Sequence, residues 1–231
     1  MERKIFMVLS KLRVAIGTWV YTWVYAKNPR GYWEQRGLLY FEQEKDELDL
    51  HGTVGKRADF LAGEIRKLEV RTVLEVGCGY GAILKPLADL ELDTLVGCDF
   101  STTQLGKAQE YLWDKKGRLV YADVTKGLPF EDNSFDLVFT SGVIMHIPPP
   151  QDIKAREEII RVSRKYVMHN ESLTPVSHKF GYDNERYYRE RGYTVIESKM
   201  NPYKADENMQ FIIVELNKDS SSGNIRGEVS Q

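Results

Sequence analysis

From Val54 to Leu216 the apolar positions alternate between two patterns, short continuous runs and stripes that recur at helical spacing. The runs read as strands buried on both faces, and the stripes as the helices that cover them. In chain order they predict a helix over His51–Lys67, strand Thr72–Val76, helix Ala82–Leu90, strand Thr94–Asp99, helix Thr102–Lys115 and strand Arg118–Tyr121. Strand Phe135–Ser141, helix Ile153–Ser163, strand Lys165–Asn170 and a helical stretch over Asn184–Arg191 follow, and strands over Val195–Ser198 and Gln210–Glu215 close the series. Such alternation predicts an α/β fold, a parallel sheet with helices on both faces. No internal repeat interrupts it.

Residues 1–30 depart from this pattern. Ile5, Leu9, Leu12, Ile16, Trp19, Val20 and Trp23 form an apolar stripe, with Lys4, Lys11, Thr18 and Thr22 near the other face, which predicts an amphipathic helical extension. Lys11 and Arg13 leave too short an uncharged run to span a bilayer, and no small-residue cleavage site follows a signal-like core. Basic residues and an aromatic end (Trp19, Tyr21, Trp23, Tyr25) suit peripheral membrane contact through residues 4–26; the same stripe suits packing on its own domain or dimerisation. Asn28, Pro29 and Gly31 predict a turn, after which come an aromatic pair, Tyr32 and Trp33, and an acidic run from Glu42 to Asp49 on a solvated helix face. The expected division is a helical extension or lid over residues 1–50, the α/β domain over 51–217 and a mobile tail over 218–231, where SSSGN replaces apolar content.

Composition narrows the class. The chain has 231 residues, 42% of them hydrophobic and 29% charged, which supports one sizeable core with decorations. A net charge of −2 offers polyanions no general attraction, so no nucleic-acid partner is expected. Cys78 and Cys98 fall in predicted sheet segments rather than in a spaced framework, which points to buried thiols in a reducing, cytoplasmic setting. His51, His146, His169 and His178 are scattered, and no metal site is expected.

The chemistry concentrates at VLEVGCGYG, Val73 to Gly81. A buried strand there breaks into three glycines at alternate positions, Gly77, Gly79 and Gly81, and helical spacing resumes at once. Glycine accepts positive φ and lets a ligand approach the backbone, so this is a nucleotide-binding strand–turn–helix. Gly77, Gly79 and Ala82 also fit a dinucleotide fingerprint, with Asp99 where a ribose-binding acid belongs. Glu75 decides between ligands. A carboxylate two residues before the first glycine repels a pyrophosphate but suits an ammonium and a sulfonium, which favours S-adenosylmethionine over NAD.

With the glycine turn, the acid ending the second strand and the segment ADVTKGLPFEDNSFDLVFTSGVIMHI in this order, the sequence resembles class I S-adenosylmethionine-dependent methyltransferases of the broad small-molecule group, over roughly Val54 to Leu216. FDLVFTSGVIMHI and RVSRKYVMHNES carry a further likeness to methylases associated with pseudaminic acid pathways. The resemblance implies a Rossmann-like seven-stranded sheet with its last strand antiparallel. It also implies cofactor contacts by Glu75, Gly77, Cys78 (through its backbone), Gly79 and Gly81. Asp99 would hold the ribose, Phe100 an adenine face, Asp123 and Val124 the adenine edge, and Ser141 the end of the fourth strand beside the cofactor.

The acceptor is not legible. Methyl transfer demands alignment above all, and a hydroxyl acceptor gains from a base with a pKa near neutrality. His146 is the candidate catalytic base, with His169, Asn170 and His178 as further pocket candidates and Tyr32 and Trp33 as a lid over it. The leading expectation is methylation of a small molecule at O or N. A lipid or membrane-borne acceptor is the alternative, and a non-catalytic methyltransferase-like interaction module is a third reading from another class.

Overall fold

A computed structural model describes residues 28–44, 53–112, 115–175, 179–204 and 207–216. The stripe over residues 4–26, His51, His178 and the segment 218–231 lie outside the described residues.

Two helices lead into the domain, α1 (Pro29–Glu44) and α2 (Thr53–Arg66). Next come β1 (Thr72–Val76), α3 (Leu84–Leu87), β2 (Thr94–Asp99), α4 (Thr102–Tyr111) and β3 (Arg118–Tyr121). The remainder comprises β4 (Phe135–Ser141), a 3₁₀ turn at Ile144–His146, α5 (Gln151–Val162), β5 (Ser163–Ser172), α6 (Asn184–Arg189), β6 (Thr194–Met200) and β7 (Met209–Glu215).

The seven strands form one sheet in the order β3-β2-β1-β4-β5-β7-β6, with β7 antiparallel to both its neighbours and the other pairings parallel. Their continuous apolar runs have a simple cause: both faces are covered. Leu61 and Ile65 of α2, Leu84 and Leu87 of α3 and Ala108 of α4 pack with Val73, Leu137 and Phe139 on one face. Ala155, Ile159 and Val162 of α5 and Tyr188 of α6 pack with Leu74, Val138 and Val167 on the other. After β1 the chain moves outward to β2 and β3, then returns across the sheet to β4. This reversal opens a crevice at the carboxyl ends of β1 and β4. At the opposite end the buried Asp136 carboxylate accepts from the Arg71 and Thr72 amides and from Arg164, tying the starts of β1, β4 and β5 together.

Local expectations change at several points, among them the helix over Thr102–Lys115, which ends at Tyr111. The turn expected at Asn28–Gly31 is the start of α1. Asn28 Oδ1 accepts from the Gly31 amide at 2.9 Å, and Pro29 takes the first helical position, where a missing N–H costs nothing. The helix expected over Ala82–Leu90 shrinks to Leu84–Leu87, because Pro86 removes a donor from a helix that begins directly after the left-handed Gly81. Strand β5 starts at Ser163, directly on the end of α5, and extends to Ser172, two residues past the expected end.

Candidate active site

A cavity of about 450 Å³ occupies the crevice. Its floor is the turn after β1, Gly77 to Tyr80, and its walls come from Asp99 and Phe100 after β2, Ala122 to Lys126 after β3 and Ser141 to Pro148 after β4. Asn28, Pro29, Arg30 and Trp33 of the α1 segment close over it, and Arg57 of α2 enters from the side.

The three glycines have different duties. All take positive φ, +72° at Gly77, +54° at Gly79 and +84° at Gly81. A Cβ on Gly77 would meet Val143 Cγ2 at 2.4 Å, and one on Gly81 would meet Leu112 Cδ1 at 2.8 Å. These two glycines therefore allow protein to pack on the turn. Gly79 has nothing nearer than 3.8 Å from such a Cβ and lines the cavity, so it is the glycine with room for a ligand against its backbone. Gly81 does not line the cavity, and the space beside it belongs to Leu112 and Ala108.

Two carboxylates face this turn. Asp99 is 8% exposed; its Oδ2 accepts from the Gly79 amide at 3.0 Å and its Oδ1 from the Ser101 amide at 2.8 Å. Burial pushes its carboxyl up to about 6 against the pull of those amides. Each oxygen keeps a lone pair for a further donor. Glu75 is 2% exposed, and its Oε2 has no hydrogen-bond partner. Burial raises its carboxyl well above the ordinary range, with the Arg57 charge opposing and Asp99 reinforcing the rise. Arg57 Nε, also in the cavity lining, is likewise without a partner. One end of the cavity thus offers an unmatched carboxylate oxygen and an unmatched guanidinium N–H. A buried polar atom left in this way costs about 1–3 kcal/mol, so a ligand bringing an ammonium and a carboxylate fits it well. Gln104 Oε1, 3.8 Å from the position a Gly79 Cβ would take, is a third unmatched polar atom in the lining.

Asp123 and Val124 line the cavity. The Asp123 carboxylate is already committed, accepting from the Thr125 amide and hydroxyl at 3.1 and 2.6 Å and pairing with Lys126 at 2.9 Å. Phe100 and Ser141 also line it, and Ser141 Oγ accepts from Asn170 Nδ2 at 2.9 Å. Cys78 is in the lining, and burial pushes its thiol well above the ordinary range, which disfavours the reactive thiolate.

Of the acceptor candidates, His146 and Trp33 meet. Their rings stand 5.0 Å apart, edge to face, and both line the cavity. Met145, Ile147 and Pro148 add an apolar surface beside them. Tyr32 is buried behind Trp33, with ring centres 5.1 Å apart, and does not reach the cavity. His169 and Asn170 do not line it either. His169 points to the α5–α6 side of the sheet, where its ring nitrogens meet Thr140 Oγ1 at 2.7 Å and Tyr188 Oη at 2.8 Å. Burial, then the Arg156 charge, pulls its pKa down to about 3, so it is a neutral structural imidazole and not a pocket base. Asn170 points to the other face, between Ser141 and Tyr203.

Sequence reasoning missed Glu34, Arg57 and Gln104. Glu34 reaches from α1 to the start of α4, accepting from the Thr102 and Thr103 amides at 2.8 and 2.9 Å, from both threonine hydroxyls at 3.1 and 2.6 Å and from Ser101 Oγ at 3.1 Å. It supplies the negative charge that a helix N-terminus favours, and so fastens α1 over the cavity. The nearest sequence signal was the SerThrThr run opening α4, which has no acid of its own in the first turn.

Residues 73–165 match the family model described as a methyltransferase domain. Phosphoethanolamine N-methyltransferase 2 of Caenorhabditis elegans is 36% identical over 88 residues, 37% of this chain and 20% of that protein. Cycloartenol-C-24-methyltransferase 1 of Oryza sativa subsp. japonica is 32% identical over 117 residues, 49% of this chain and 33% of its own length. The chain therefore spans a third or less of these two curated relatives. Among solved structures, magnesium protoporphyrin IX methyltransferase from Synechocystis PCC 6803 with bound S-adenosylhomocysteine shares the fold at a TM-score of 0.54 and 16% identity, over 71% of this chain and 80% of that one. Residues 73–165, which supply most of the cavity lining, are those of a methyltransferase domain, and the sheet order around them is that of the class I S-adenosylmethionine-dependent methyltransferase fold.

Proposed function

We propose that the chain transfers the methyl group of S-adenosylmethionine to an oxygen or nitrogen of a small molecule admitted beside His146 and Trp33. The observation that carries this reading is the cavity itself, with the unmatched Glu75 Oε2 and Arg57 Nε at one end and the His146–Trp33 pair in the same lining. Glu75 and Arg57 would hold the amino-acid end of the cofactor, the Gly79 backbone would lie against it, and Asp99 would accept from the ribose. Phe100, Asp123 and Val124 would surround the adenine. When bound, the cofactor supplies an electrophilic methyl group on a cationic sulfur. The protein aligns the acceptor and excludes water, which α1 supports by covering the cavity. Where the acceptor is a hydroxyl, His146 takes its proton.

In this reading residues 1–50 act as a lid, 51–217 as the catalytic domain and 218–231 as a tail, in a cytoplasmic protein. Among the described residues no helix is long and apolar enough to cross a membrane. Calorimetric titration with S-adenosylhomocysteine, followed by transfer of labelled methyl to a panel of small amines and alcohols, tests the proposal. Failure to bind S-adenosylhomocysteine would favour a non-catalytic interaction module instead. A second reading, a lipid acceptor, draws on the apolar wall of Met145, Ile147 and Pro148 and on relatives named for sterol methylation. Including a sterol and a phospholipid amine in the panel separates the two.

A further inference from the structure

We infer that Glu171 is the positioning residue of the turn that carries His146, and that a one-way hydrogen-bond chain from Tyr188 through His169 and Thr140 ends on its carboxylate. The consequence for methyl transfer rests on the proposed role of His146; the chain itself does not.

Glu171 is fully buried and outside the cavity lining. The Val143 amide donates to both its oxygens at 3.0 Å, and the Met145 amide donates to Oε2 at 3.1 Å. These amides flank Ile144 in the turn whose next residue is His146, and the His146 amide closes that turn by donating to the Val143 carbonyl at 2.9 Å. A carboxylate from β5 thus pins the backbone that presents the imidazole to the cavity and to Trp33.

The register explains the rest of the chain. Thr140 of β4 pairs with His169 of β5, so their side chains share a sheet face, and Glu171, two positions on, shares it as well. Thr140 Oγ1 lies 2.7 Å from both Glu171 Oε1 and His169 Nδ1, and His169 Nε2 lies 2.8 Å from Tyr188 Oη. Each hydroxyl has one proton, and a neutral imidazole has one N–H. Within these contacts, one arrangement gives every proton an acceptor: Tyr188 donates to Nε2, Nδ1–H donates to Thr140, and Thr140 donates to Glu171. Reversal would leave the fully buried Tyr188 hydroxyl without its acceptor and would require a proton on Glu171 Oε1. The polarity therefore assigns His169 as the Nδ1–H tautomer and Glu171 as a carboxylate; burial raises the Glu171 carboxyl, and the Thr140 hydroxyl and the Val143 and Met145 amides that donate to it oppose that rise. The partners span α6, β5, β4 and the turn after β4, so they set the turn against the sheet.

The test is nitrogen-15 NMR of the full chain, which has four histidines. In the wild type His169 should show the Nδ1–H pattern alone; an Nε2–H pattern would overturn the chain, and this arm needs no variant. In Glu171→Gln the His146 and Trp33 ring signals should shift and their mutual contacts weaken. S-adenosylhomocysteine affinity should change less than these signals, because Glu171 contacts the turn after β4 and none of Glu75, Arg57, Gly79 and Asp99, which are proposed to hold the cofactor. Should that variant fail to fold, Thr140→Val removes one donor to Glu171 while keeping the shape. It should move the same His146 signals, and Thr140→Ser should restore them. Folded variants whose His146 and Trp33 signals match the wild type would overturn the positioning role. Once an acceptor is known, Glu171→Gln should lower kcat about tenfold or more at nearly constant cofactor affinity. A rate insensitive to His146→Gln would remove His146 from the chemistry, and the proposed function would lose its base while the NMR result stood.

Discussion

Replacing Glu34 by Gln should loosen α1 from the cavity without unfolding the domain. Partial burial pushes the Glu34 carboxyl up, but the Thr103 hydroxyl and amide, the Thr102 amide and the Ser101 hydroxyl outweigh it and hold it down to about 2. Taken at face value the shift from 4.5 would be worth about 3 kcal/mol, at about 1.4 kcal/mol per unit. The side chain is only partly buried, so solvent screening reduces this to about 1–2 kcal/mol, a five- to thirtyfold change in the docking equilibrium. Hydrogen exchange at the Thr102 and Thr103 amides, which donate to Glu34, reads that equilibrium directly. Dissociation of S-adenosylhomocysteine, followed by stopped flow, reads its effect on the cavity. Both should quicken in the variant by about fivefold or more. The pH dependence has a definite sign. Because the folded pKa is depressed, the wild-type latch is complete above the ordinary value of 4.5 and is lost as pH falls toward 2. A folded Glu34→Gln variant with unchanged exchange at both threonines and an unchanged release rate would refute the latch.

Three further outcomes are expected. Asp99→Ala should weaken S-adenosylhomocysteine binding by about 1.5–3 kcal/mol in a folded protein, since the ribose loses a charged acceptor, and titration calorimetry reads this directly. In the wild type, where burial holds Asp99 at about 6 and Glu75 well above its ordinary range, a ligand that prefers both carboxylates ionised should bind more tightly as pH rises through about 6 and release protons on binding. Calorimetry in two buffers of different ionisation enthalpy measures that release, and a pH-independent affinity between 5 and 7 would contradict the site assignment. Gly79→Val should abolish detectable binding, because a β-branched residue resists φ of +54° and fills the ligand side of the turn; wild-type affinity would show the turn to be structural only.

The order of strands and helices was legible because it depends on local periodicity, and the ends of β1, β2, β3 and β4 fall where the apolar runs end. The glycine turn and Asp99 were legible for a related reason: backbone conformation and strand-end position are short-range properties. Asn28 and Pro29 were read as a turn because the same residues that break a chain also start a helix, and only the helix that follows separates the cases. Side-chain partnership was out of reach. Glu34 acts on residues 68 and 69 positions away, and Thr140 meets Glu171 across 31, so these pairs exist only once the chain has crossed the sheet and docked α1 on α4. His169 shows the limit most clearly, since its chemistry suited a pocket base while the alternation along β5 turned it to the opposite face. Composition and spacing determined which residues could bind a nucleotide-like ligand. Tertiary structure alone decided which of them face the cavity, because that choice depends on sheet register and on contacts between residues far apart in the chain.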